Sequence, residues 1–180
     1  MHTTDLKISE NLIVGSSSDL RGNVDVGGDV DVSGILKYTA AEIGAPVDVT
    51  DAATYTALAA NSGRIHIIPD GSQDIAVTLP TPKAGLYFKF IYGGVAADAT
   101  GVSIATGSAS VFLEGNVLGL DTDNSTPTVY APVFANGTSN TKITVDTPDA
   151  IELNFLGISA TKYKIWGSYG SVATAVVADS

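Results

Sequence analysis

Paired carboxylates are the first residues in this chain whose types and spacing could do chemistry. Hydrolysis of a glycosidic bond needs two of them, one to protonate the leaving oxygen and one to act as base or nucleophile. The candidates are Asp121 with Asp123, and Asp146 with Asp149 and Glu152. All fall in or beside turn-rich stretches, and acidic neighbours arise by chance in a chain with 19 Asp+Glu against 9 Lys+Arg. Serine-type catalysis needs an imidazole base, yet the only histidines are His2, near the first residue, and His66, inside the apolar run Ile65-His66-Ile67. Neither has a partner evident from spacing. Cys is absent, which removes disulfides, thiolate nucleophiles and cysteine-held zinc or iron–sulfur clusters. No glycine-rich phosphate loop leads into a helical pattern. Asp19, Asp25, Asp29 and Asp31 sit among glycines in a way that suggests calcium. The nine-residue Gly-Gly-x-Gly-x-Asp repeat of calcium-loaded β-rolls is missing, however, and acids alternating with Val are what a solvated strand face looks like. The expectation is a protein that is not an enzyme, with no catalytic residues, no metal and no cofactor.

The elements that would position any site are strands. With 180 residues the chain has room for one ordinary domain and a smaller appendage. Apolar residues reach 44% and charged ones only 16%, with 19 Gly, a balance typical of turn-rich β proteins and far from the charged disordered class. A net charge of −10 opposes sequence-independent binding of nucleic acid, which needs clustered Lys and Arg to displace counterions. The opening residues lack the basic-then-apolar order of a secretory signal, and no stretch approaches the ~18 apolar residues of a membrane span. The product is therefore read as soluble, made in a cytoplasm, with no membrane partner. Asn124-Ser125-Thr126 and Asn136-Gly137-Thr138 match the glycosylation pattern but read as polar loops.

From Arg64 onward, alternating apolar residues recur between turn signals. The runs are Ile65 and Ile67; Ile75, Val77 and Leu79; Leu86, Phe88, Phe90 and Tyr92; and Val102 and Ile104. They continue at Val111 and Leu113, Val129 to Val133, Ile143 and Val145, Ile151 to Phe155, and Tyr163 to Trp166. Pro69-Asp70-Gly71-Ser72, Pro80 to Gly85 and Asn136-Gly137 separate them with turn chemistry. Short strands at intervals of roughly 8–12 residues describe an antiparallel β-sandwich, jelly-roll-like, over 64–180. Trp166 with Phe88, Phe90 and Tyr92 is read as core or interface, with a sugar-binding platform as the rival reading. Residues 51–60 suit either one helical turn or, the favoured reading, a strand entering an Asn61-Ser62-Gly63 turn. Residues 41–63 as a whole are read as a linker.

The front of the chain has a different period. Ile8, Val14, Leu20, Val26 and Val32 fall at every sixth position, Gly22, Gly28 and Gly34 form a second row, and Leu12, Val24, Val30 and Leu36 a third. Alternating Val and Asp closed by Gly suggests short strands with corners, as in a parallel β-helix or β-prism. About five hexads give fewer than two coils, whereas solenoids need ~3 or more repeats to bury a continuous core. Three chains around one axis would close that core and satisfy the open strand edges. Residues 1–40 are therefore expected to form an intertwined, homotrimeric stem, with Ile8, Val14, Leu20, Val24, Val26, Val30 and Val32 as its oligomerisation residues. The fold class is all-β throughout.

The segment from Ile75 to Ile91, with Thr78-Leu79-Pro80 and Lys83-Ala84-Gly85-Leu86 at its centre, and the later Ala160 to Gly167, resemble tailed-bacteriophage virion proteins of the head-decoration and short-fibre type. The hexads are similar to the β-helical stems of phage fibres. What this resemblance implies is a homotrimeric capsid-decoration, or cement, protein whose partners are itself and the major capsid protein. It also implies location on the virion's capsid surface. The alternative is a short tail or neck fibre that binds a host-surface glycan or protein through an exposed aromatic groove.

Overall fold

Alternation of apolar and polar side chains puts one face of each strand into a core and leaves the other wet. In a computed structural model that describes residues 45–94, 100–122, 130–173 and 175–178, this pattern resolves into twelve strands. They are β1 (Val47–Asp48), β2 (Thr54–Thr56), β3 (Ile65–Ile68), β4 (Ile75–Thr78), β5 (Tyr87–Tyr92) and β6 (Val102–Ala105). The remainder are β7 (Phe112–Asp121), β8 (Tyr130–Asn136), β9 (Lys142–Val145), β10 (Pro148–Ser159), β11 (Lys162–Ser171) and β12 (Val176–Ala178). The only helix among the described residues is a 3-10 turn at Ala59–Asn61. No helix there is long and apolar enough to cross a membrane.

The strands form a seven-stranded sheet, ordered β1-β3-β5-β10-β11-β7-β8, and a five-stranded sheet, ordered β12-β9-β6-β4-β2. Both are mixed, which corrects the expected antiparallel arrangement. The reason lies in the path of the chain. From β1 to β6 it crosses to the other sheet after every strand, so next-but-one strands become neighbours running the same way: β1, β3 and β5 in one sheet, β2, β4 and β6 in the other. A further parallel pair joins β7 to β11. Hairpin-like antiparallel pairing appears in β7 with β8 and in β10 with β11. An alternating pattern reports which face is buried and says nothing of strand direction.

Residues 47–61, expected as linker, belong to the domain. They supply a strand to each sheet, and Val49 and Ala57 are buried in the core. Within the stretch that suited either helix or strand, Thr54–Thr56 is a strand and the following residues make the 3-10 turn. The inward faces of both sheets meet in one apolar cluster. Phe88, Phe90, Leu153, Phe155, Tyr163 and Ile165 come from the larger sheet, and Ile75, Val77, Ile104 and Ile143 from the smaller. Three of the four sheet edges are very short, at two residues for β1 and three each for β2 and β12. The long edge, β8, carries Pro132, which lacks an N–H and blunts the row of open hydrogen-bonding groups. The expected stem residues Ile8, Val14, Leu20, Val24, Val26, Val30 and Val32 lie outside the described residues.

Candidate functional site

The outward face of the larger sheet carries the domain's most distinctive surface. Register places Ile65, Lys89, Asn154, Trp166, Asn116 and Phe134 in one row across β3, β5, β10, β11, β7 and β8. The next row brings Ser168, Leu118 and Pro132 side by side, and the one after it Leu120 and Tyr130. Each strand here alternates, so these side chains share the face opposite Val117, Val133, Ala135 and Ile165, which are buried. Tyr130 and Phe134 are 68% and 67% exposed, and Trp166, Leu118 and Leu120 are also exposed. Five large apolar side chains, with Pro132 among them, thus lie together on β7, β8 and β11, with no Asp, Glu, Lys or Arg on the outward positions between them. Contiguous apolar surface of this kind marks an interaction face more often than an isolated exposed residue does.

A ring of satisfied polar groups frames the patch. On one side, the buried Asn154 accepts a hydrogen bond from the Tyr87 hydroxyl at 2.6 Å, and its amide donates to the Trp166 carbonyl at 3.4 Å. That fixes Tyr87 against Trp166, with ring centroids 6.2 Å apart and planes inclined by 26°. Lys89 pairs with Glu152 at 2.8 Å, and this hydrogen bond raises the Lys89 pKa. Beyond the row, Glu114 meets Lys162 at 3.1 Å and Lys164 at 3.4 Å. Hydrogen bonds from Lys162 and then Lys164 hold its carboxyl below the usual range. Both carboxylates nearest the patch are thus paired within the same chain, two glutamates to three lysines.

Among the described residues, the carboxylates singled out for hydrolysis have different neighbours. Glu152 lies on this outer face, bound to Lys89, while Asp149 accepts a short hydrogen bond from the Thr122 hydroxyl. Asp146 instead lines a shallow cleft of about 260 Å³ with Asp74, Ser103 and Thr144, at one end of the smaller sheet. There Asp74 accepts a hydrogen bond from the Gly101 amide at 2.7 Å. Asp121 ends β7, and Asp123 lies outside the described residues. Among the described residues no three His, Asp or Glu side chains gather closely enough to hold a metal. The acidic residues Asp19, Asp25, Asp29 and Asp31 fall outside that description.

His66 is fully buried, and neither ring nitrogen has a hydrogen-bond partner. Its ring packs against Phe90 at 4.9 Å, Phe88 at 5.6 Å and Tyr55 at 6.3 Å. Burial lowers its pKa, and the nearby Arg64 and Lys89 backbone offsets this only in part. A neutral imidazole in an aromatic cage with no exposed edge is core, so no base for nucleophilic catalysis exists there.

Trp166 was legible from the sequence as a core or interface aromatic, and it is the surface one; Phe88 and Phe90 are core. Tyr130, Pro132, Phe134, Leu118 and Leu120 were not singled out. Their signal was present: β8 is apolar on both faces, Val133 and Ala135 inward and Tyr130, Pro132 and Phe134 outward, which no one-sided edge strand needs. No protein-family model and no curated protein matches the chain.

Proposed function

We propose that this chain is a non-catalytic structural subunit of a virion. In this reading it decorates and stabilises a tailed-phage capsid as a homotrimer held by its N-terminal hexad rows, with the two-sheet domain as a sandwich-type module. The observation that carries the reading is the apolar patch of Leu118, Leu120, Tyr130, Phe134 and Trp166 on the outer face of β7, β8 and β11, in a domain whose edges are short or carry Pro132. Such a surface does its work by contact. The resemblance noted in the sequence adds to it, because its residues serve the fold. Thr78-Leu79-Pro80 closes β4, and Lys83 to Leu86 is a turn closed by the Leu86 amide on the Lys83 carbonyl at 3.0 Å. A trimer at a local three-fold position of a shell would engage three capsid subunits at once and gain avidity.

The row Trp166, Asn116 and Phe134, with Tyr87 stacked on Trp166, favours a second reading, a short tail or neck fibre that lays a host-surface glycan over aromatic rings. Gold-labelled antibody on intact particles separates the two. Many marks over the head lattice support decoration, a few marks at the tail support the fibre, and no marks on any particle refute both. Sedimentation of the full chain should give a trimer.

A further inference from the structure

We infer that the outward face of β7, β8 and β11 is where the domains of neighbouring copies meet. This inference rests on the trimeric reading above and names the contact that the trimer makes outside its N-terminal rows. The occupant is decided by charge and by area.

At a net charge of −10, copies repel one another except over surfaces that present no charge, since screening removes most of the repulsion beyond about 8 Å. The face around Leu118, Leu120, Tyr130, Pro132, Phe134 and Trp166 is such a surface. A basic partner would need carboxylates to meet, and those on the rim, Glu114 and Glu152, are already paired to lysines of the same chain. An identical apolar patch needs no charge from its neighbour.

Area sets the conditions. With aromatic side chains of about 150–250 Å² each, the exposed part of this patch is on the order of 500 Å². Stable interfaces bury ~800 Å² per partner, so the face does not hold copies together unaided. It closes only when the N-terminal rows have raised the local concentration of domains to the millimolar range expected for a short tether. Pro132 on β8 turns the contact toward the face and away from continuous sheet extension, which keeps the assembly closed.

The chain's lack of Cys permits a direct test. In the full-length protein, Phe134→Cys and, as a control on the exposed outer side of the smaller sheet, Thr56→Cys are treated with a short bis-maleimide at micromolar concentration. Most Phe134→Cys chains should cross-link, at least tenfold more than Thr56→Cys chains, and adding Val26→Asp should remove that excess. Trimers by sedimentation without a Phe134→Cys excess would overturn this contact and leave the trimeric reading standing. Monomers with no excess would overturn both. Cross-linking that survives Val26→Asp would refute the dependence on the N-terminal rows. Calorimetric binding of a neutral hexasaccharide that is lost in Trp166→Ala, with no Phe134→Cys excess, would assign the face to a glycan instead.

Discussion

The hydroxyl of Tyr163, near the start of β11, donates to the carbonyl of Pro80 at 2.9 Å, tying the larger sheet to the loop that leaves β4 of the smaller one. Burial pushes the Tyr163 pKa up to about 12. The folded state therefore keeps its proton where an unfolded chain, with a pKa near 10, loses it. Stability should fall as pH rises from 10 toward 12 and be unaffected by this group below 10. Tyr163→Phe should cost about 1–3 kcal/mol at neutral pH, because it leaves the Pro80 carbonyl without its donor, and should flatten the alkaline loss. Urea unfolding at pH 8 and pH 11 checks both.

Acid acts on His66. Its folded pKa is lowered, so between that value and the unfolded pKa of 6.5 the unfolded chain binds the extra proton. Stability contributed by the neutral ring is complete above pH 6.5 and is lost as pH falls through that window. Arg64 is the charged group that adds to the shift, and Tyr55, Phe88 and Phe90 supply the packing. His66→Phe should weaken the pH dependence of unfolding between pH 4 and 6.5. An unchanged slope by denaturant titration would contradict this account.

Two glycines let β7, β11 and β10 pair closely. Gly115 and Gly167 have φ of +142° and +141°, and a Cβ at either would collide with a backbone carbonyl, of Ile165 and Glu152 respectively. Gly115→Ala or Gly167→Ala should each destabilise the domain by about 2–4 kcal/mol, combining strain at positive φ with a clash that has no flexible end to yield. Thermal unfolding measures it. Asn116→Ala, one position along on the exposed face, should stay within about 0.5 kcal/mol of wild type.

Charge in the N-terminal rows tests assembly. Val26→Asp should abolish trimers by placing three carboxylates around one axis, where repulsion and desolvation both oppose ionisation. Replacing Asp25 with Asn, on the face taken to be outside, should leave them intact. Analytical ultracentrifugation reads both. Intact Val26→Asp trimers would remove the basis of the stem.

The sequence by itself determined that the domain is β and where most of its strands run. Ile75 and Val77, Phe88 and Phe90, Ile151 to Phe155, and Tyr163 to Trp166 all lie in strands with the expected faces buried, because burial on one side writes a two-residue period into the chain. Short or two-sided elements escaped it. β1 has two residues, too few to show a period, and the outward apolar residues of β7 and β8 look like core until their neighbours are known. Only the tertiary structure decided strand direction, the membership of residues 47–61, and the gathering of Trp166, Leu118 and Phe134 onto one face. Those depend on which strand lies beside which, and pairing between residues as far apart as Asn116 and Trp166 leaves no mark on the local pattern of either.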